Sequence, residues 1–275
     1  MIHERVFGSY IIFTLIRLLN SVAFFSLHVF VYLGSLAIVV GGIVITRFHD
    51  SIWAWRVRLL IYPVLMSVLF VNLRWVSPII NEGKKDDLLW KLDELIAGGS
   101  LSVMMESIIS PLLTEFLSFC YIFFLVYLYI SIITWLLSSV SLSRMFYVGL
   151  FSLYGIGYFG YTLVPAVGPY INYASEFTAP LKGYYMTDFL EAAYPSFTNF
   201  SDVFPSLHCA ATVYMLLFDM KWNRRRFLVC LIPSLGLVIS TIYLRFHYFV
   251  DILAGLFIAA AALLITRSVR LSEEL

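Results

Sequence analysis

The chain has 275 residues, 61% of them apolar and 13% charged, with 18 Lys+Arg against 17 Asp+Glu and a formal net charge of +1. Soluble globular chains average about 45–50% apolar and about 25% charged, so this composition excludes that class and marks a membrane protein. The near-neutral balance offers no broad basic field to nucleic acid, and Cys120, Cys209 and Cys230, each alone in an apolar run, support neither a disulfide framework nor a zinc site.

Residues 3–20 form an apolar run interrupted by Arg17 and Asn20, which predicts an amphipathic helix at the membrane interface, with an extra span as the alternative. The run is too long for the apolar part of a signal peptide and no small-residue cleavage site follows it, so the segment reads as retained. Seven later stretches reach the roughly 20 apolar residues a spanning helix needs: 22–46, 57–78, 114–138, 145–164, 205–221, 227–244 and 247–266. Arg47, Arg56 and Arg58, then Arg144, then Lys221 with Arg224, Arg225 and Arg226, and finally Arg267 with Arg270 all fall on one side of these spans. The positive-inside rule makes that side, with the C-terminus, cytoplasmic. Two long connections, 79–113 and 165–204, occupy the other side. In the first, Leu88, Leu89, Leu92, Leu95 and Ile96 are spaced for a helix lying on the surface, most simply a structural cover. No repeat or linker divides the chain, which reads as one membrane domain.

Three segments on the outer side carry the polar chemistry. Tyr161 to Tyr170 ends a span in Pro165-Ala166-Val167-Gly168-Pro169, a fixed turn in which Gly168 lets a backbone or ligand approach closely. Phe204-Pro205-Ser206-Leu207-His208 opens the next span. Proline suits a first helical turn, so Ser206 and the free backbone amides face the loop, where a phosphate would be attracted. Asn199-Phe200-Ser201, just before it, fits the glycosylation acceptor pattern. Tyr243 to Asp251 enters the last span. His247 and Asp251 are four residues apart, so on a helix the carboxylate orients one imidazole nitrogen while the other faces a substrate. Arg245 adds a permanent cation that can fork onto phosphate oxygens. A buried His, Asp and Arg network holding helices together is the plainer alternative. Both histidines, however, fall at one depth on one face, whereas His3, His28 and His49 have no comparable neighbours. Arg74 and Lys182 are further outer-side cations that could reach the same place, Arg74 equally by snorkelling beside Trp75. The aromatic density of 165–204, including Tyr170, Tyr184, Tyr194 and Phe197, suits an interfacial lid.

These segments resemble the three motifs of the membrane-bound type 2 phosphatidic acid phosphatase superfamily. Pro205, Ser206 and His208 match its Pro-Ser-x-His motif, and His247 with Asp251 match the His-x-x-x-Asp end of its third. The resemblance covers mainly residues 114–266 and departs twice. The first motif's lysine and Arg-Pro are replaced by Pro165, Ala166, Gly168 and Pro169, and the Ser-Arg before the third motif's histidine is Ser240 and Thr241, with the arginine displaced to Arg245. Both departures are similar to the inositol phosphorylceramide synthase branch. The resemblance implies an all-α membrane fold of six core helices plus about one N-terminal span, with residues 1–113 preceding a catalytic core at 114–275. It implies a lipid phosphatase or phosphotransferase with His247 as nucleophile, Asp251 orienting it and His208 as acid and base. Ser206, Arg245 and Gly168 are then phosphate contacts, joined by Arg74 or Lys182. The implied partners are a membrane lipid and, for a transferase, a polyol or sugar acceptor. No metal or other cofactor is expected. A transporter with an Arg/His/Asp path is the alternative from another class, but it predicts inverted repeats and broken midplane helices.

Overall fold

The computed structural model describes residues 1–22 and 25–274; residues 23 and 24 of the predicted first span, and the side chains of Phe197 and of residues 270–274, among them Arg270, lie outside the described residues. The described chain is helical throughout. In order the α-helices are α1 (Ile2–Ser21), α2 (Leu27–Phe48), α3 (Ile52–Ile80), α4 (Asp86–Ala97), α5 (Leu101–Met104), α6 (Pro111–Leu136), α7 (Val140–Leu163), α8 (Pro169–Asn172), α9 (Tyr185–Phe197), α10 (Leu207–Trp222), α11 (Arg224–Tyr243) and α12 (Phe249–Glu274).

Five of these, α2, α3, α6, α11 and α12, are long and apolar enough to cross a membrane. Helices α7 and α10, also expected as spans, do not meet that criterion. They need not, because they are wrapped by the others: Phe146, Tyr147, Val148, Phe151 and Tyr158 of α7 and Ala210, Ala211, Tyr214 and Met215 of α10 are fully buried. A helix shielded from lipid by protein is free to carry glycine, serine and tyrosine. Its packing then rests on close approach and interhelical hydrogen bonds, of about 1 kcal/mol each in a membrane. The Tyr158 hydroxyl donates to the Met66 carbonyl at 2.7 Å and Tyr214 to the Phe146 carbonyl at 2.9 Å. At Gly157 the Leu207 side chain occupies the place a Cβ would take.

The interfacial placement expected for residues 3–20 is corrected. Helix α1 packs beside α7, α2 and α3, with Phe7, Tyr10, Ile11 and Leu18 fully buried. It runs alongside α3, because Glu4 bonds Arg58 near the start of α3 while Arg17 donates to the carbonyl of Ile80 at its end. Arg17, one of the two residues that broke the apolar pattern, is satisfied by this contact.

Helices α3, α7 and α11 end, and α6, α10 and α12 begin, at one end of the bundle, where α4, α5, α8 and α9 also lie. Helix α4 is the surface helix expected from its leucines. Leu88, Leu95 and Ile96 point outward, whereas Asp86, Leu89 and Asp93 are buried against the bundle.

Candidate active site

Each histidine is placed by a turn. The backbone leaves α11 at Leu244, and Arg245 adopts a left-handed conformation at φ +67. The amides of Phe246 and His247 both donate to the Thr241 carbonyl at 3.0 Å, so the chain doubles back before α12 starts. Opposite it, Ser206 caps α10: its Oγ accepts from the Cys209 amide at 3.4 Å and its own amide donates to the Asp251 carbonyl at 3.0 Å. Gly255 makes that crossing close, since a Cβ there would lie 2.5 Å from the Ser206 carbonyl oxygen.

This geometry brings His208 and His247 together, ring centroids 5.7 Å apart and edge to face. Asp251 Oδ2 lies 3.4 Å from His247 Nδ1, within ion-pair reach but without hydrogen-bond alignment, and accepts from the Tyr248 amide at 2.7 Å. His208 is flanked by Tyr121 and Phe124, at 4.9 and 4.7 Å between centroids. His208 Nδ1, His247 Nδ1 and Asp251 Oδ1 are buried with no hydrogen-bond partner. A pair of imidazoles backed by a carboxylate, with such atoms left unbonded, has the parts for a nucleophile and a general acid or base. Among the described residues no three His, Cys, Asp or Glu side chains gather as a metal site.

His208 also lines a cavity of about 310 Å³. Its walls are apolar and aromatic, from Met66, Phe70 and Val71 of α3, Tyr121, Leu125 and Leu128 of α6, and Tyr154 and Tyr158 of α7. Val71 and Tyr129, exposed on the outside of the bundle, also line it, so it opens sideways between α3 and α6.

The other expected phosphate contacts are engaged elsewhere. Arg245 donates to Glu106 Oε1 at 2.9 Å and to the Ala179 carbonyl at 2.5 Å, and its guanidinium stacks 4.1 Å from the Phe177 ring. Lys182 lines a second cavity of about 290 Å³ with Arg245, Tyr170, Thr187 and Glu191. The stacked rings of Phe246 and Tyr194, 4.4 Å apart, with Tyr121 at 4.8 Å from Phe246, stand between that cavity and the histidines. Arg74 is exposed and stacks on Phe200 at 4.7 Å. Gly168 serves a packing role. Its φ is +88, the Phe246 carbonyl occupies the place of a Cβ, and its amide donates to Asp86 Oδ1 at 2.9 Å. Ser206 alone of the expected phosphate contacts sits directly beside the pair, at the mouth of α10. Asn199 is buried, which removes it as a glycosylation acceptor in the folded chain.

Four carboxylates around the site were not singled out in the sequence. Asp86 accepts from the amides of Val167 and Gly168 and from the Tyr248 hydroxyl, the last at 2.8 Å. Asp93 accepts from the amides of Phe249 and Val250 at 2.8 and 2.9 Å. Burial raises the Asp93 carboxyl, against those two amides. Glu106 holds Arg245 together with Thr178 and the Ala179 amide. Asp202 accepts from Thr198 Oγ1 at 2.8 Å and the Asn199 amide at 3.0 Å, and burial raises its carboxyl. The only sequence signal for the first two is their seven-residue spacing, which puts them on one helical face.

The family model described as the PAP2 superfamily matches residues 99–265, from just beyond α4 into α12. Comparison with curated proteins and with solved structures gives no match.

Proposed function

Because the chain belongs to the PAP2 superfamily, whose model covers more than half of it, we propose that it is an integral membrane phosphoesterase acting on a lipid phosphate through a phosphohistidine. The observation that carries the reading is the His208 and His247 pair at the end of a sideways-opening apolar cavity, with Asp251 behind His247. The lipid chain lies in the cavity and its phosphate beside the two rings, within reach of both. His247 Nε2, the nitrogen turned away from Asp251, attacks phosphorus. The N–P bond forms as the P–O bond to the lipid alcohol breaks, and protonated His208 gives its proton to the departing alkoxide. Water then attacks phosphorus, His208 takes its proton, and the N–P bond breaks to release phosphate and free His247. Asp251 keeps the tautomer and stabilises the charge that develops on the imidazole. The first-turn amides of α10 and Ser206 face the equatorial oxygens, the main electrostatic need of phosphoryl transfer.

A transferase, in which an alcohol takes the place of water, is favoured by one observation. The second cavity pairs tyrosines with Lys182, Arg245 and Glu191, a mixture of rings, donors and acceptors suited to a hydroxylated headgroup, which reaches the histidines only when the Phe246 and Tyr194 rings that wall it off move aside. That assignment extends to the inositol phosphorylceramide synthase branch. The basic clusters support a site on the non-cytoplasmic side, since Arg58, Arg144 and the Lys221 to Arg226 group lie at the opposite ends of the helices from the histidines.

Purified protein incubated with lipid phosphates and phospholipids, with and without inositol and sugars, tests the reading by mass spectrometry. Free phosphate lost in His247→Ala is the expected result, and a new headgroup-bearing lipid only on adding an alcohol establishes the transferase. Silence with every lipid, or equal turnover in the variant, overturns the proposal.

A further inference from the structure

Helix α12 begins at Phe249, so its cap position falls on Tyr248, which carries no short acceptor. Its first amides nevertheless have partners, because Asp93 reaches across from α4 to accept from Phe249 and Val250. One face and about 10 Å further along α4, Asp86 accepts from Val167, Gly168 and the Tyr248 hydroxyl. The Lys85 amide joins the same contact by donating to the Pro165 carbonyl at 2.8 Å. The segment gripped by these bonds runs from Tyr248 to Val250, between His247 and Asp251. Helix α4 therefore fixes both ends of the catalytic dyad and the glycine turn packed on Phe246.

From this arrangement we propose that Asp86 and Asp93 are positioning residues for the dyad, set outside the part of the chain matched by the family model, and that α4 is a working part of the active site. The inference rests on the phosphohistidine reading for its catalytic meaning but not for its geometry. Three contacts distinguish it from a cover. Both carboxylates are buried, Asp93 accepts from the Phe249 and Val250 amides between His247 and Asp251, and Asp86 holds the Tyr248 hydroxyl next to His247 together with the Val167 and Gly168 amides of the turn packed on Phe246. The Asp251 carboxylate sits where it does because α12's first turn is held in register. With Asp93 unable to accept, the turn unwinds toward Asp251, the nearest remaining acceptor, and draws it off His247.

The test uses the full chain in detergent, with histidine labelled with nitrogen-15 and the His247 resonances assigned by their loss in His247→Ala. Asp93→Asn and Asp93→Ala should shift the His247 ring nitrogens progressively, because asparagine keeps one acceptor oxygen and alanine none. Leu89→Ala trims the same buried face without touching an acid. It should lower the melting temperature and leave the His247 resonances in place. On whichever lipid phosphate the panel identifies, Asp93→Ala should reduce kcat on the order of 10²-fold with KM nearly unchanged, as for a small misplacement of a reacting group. If both Asp93 variants keep the native His247 resonances and only melt earlier, as Leu89→Ala does, α4 is a cover and the proposal is overturned. The resonances report without turnover, so failure to find a substrate leaves this result readable on its own.

Discussion

Buried ionisable groups gather at both ends of the bundle, and the two gatherings are built differently. At the end away from the histidines, Asp219 accepts from the Tyr127 hydroxyl at 2.7 Å, from the Trp135 indole at 3.3 Å and from Arg226 Nε at 2.6 Å. There too, Arg58 binds both oxygens of Glu4, at 2.6 and 2.7 Å, and the Thr46 hydroxyl at 2.6 Å. Both oxygens of each carboxylate are bonded, Asp219 by donors from α6 and α11 and Glu4 by Arg58 of α3 and the N-terminal amine, the pairing that buried charge requires. At the other end His208, His247 and Asp251 each retain an atom without a bond. His3 shows that an unbonded ring is not sufficient by itself, since neither of its nitrogens has a partner and it merely packs on Tyr62 at 4.3 Å. The functional signature is the second histidine and the carboxylate within reach of the first. The proposed function assigns the first end to holding the bundle and the second to the reaction.

Substitution should separate the two roles cleanly. His247→Ala and His208→Ala should each reduce turnover by about 10⁴-fold or more, equivalent to about 5.5 kcal/mol of barrier, while the melting temperature in detergent stays near that of the native protein. Asp251→Asn keeps the shape and removes the charge that orients His247. It should reduce kcat about 10²- to 10⁴-fold, and native-level phosphate release would break the comparison at its reactive end. Asp219→Ala should do the reverse. It leaves the half-buried Arg226 without its carboxylate and the Tyr127 and Trp135 donors without their acceptor, an expected loss of about 3 kcal/mol seen as a lower melting temperature, with turnover per folded molecule unchanged.

The smallest expected effect concerns the strap over Arg245. Burial raises the Glu106 carboxyl, but the Thr178 and Ala179 donors and the Arg245 charge outweigh it and hold the group below its ordinary value. A carboxyl depressed in this way contributes stability fully above the ordinary carboxylate range, near pH 4.3, and loses it as pH falls through the depressed value. The melting-temperature gap between native protein and Glu106→Gln should therefore be constant at neutral pH and close on acidification. A gap that widens in acid contradicts the assignment.

The helices, both histidines and Asp251 were legible because each is a local pattern: apolar runs, a Pro-Ser helix start in which Ser206 is the cap, and an i, i+4 pair. Helix α1 was harder, since Arg17 and Glu4 look expensive until their partners Ile80 and Arg58, more than fifty residues away, are known. Helix α4 was legible as a surface helix, but the face it buries was not. In a soluble protein its leucines would face inward, but beside lipid the apolar side points out and the acids that share a face with Leu89 point in. Arg245 was read from its charge, whereas its destination depends on the left-handed backbone at its own position and on Glu106, which no spacing rule connects to it.

The glycine contacts divide along the same line and carry a genetic consequence. At Gly149, at the end away from the histidines, the obstacles to a larger residue are the Tyr214 and Thr266 side chains, so second-site changes that shorten them offer suppressors. At Gly255 and Gly168 the obstacles are the carbonyls of Ser206 and Phe246. A carbonyl is present whatever residue bears it, so no partner substitution relieves the clash. The scaffold is free to drift by paired exchange, while the two crossings that frame the histidines are locked by the peptide chain itself.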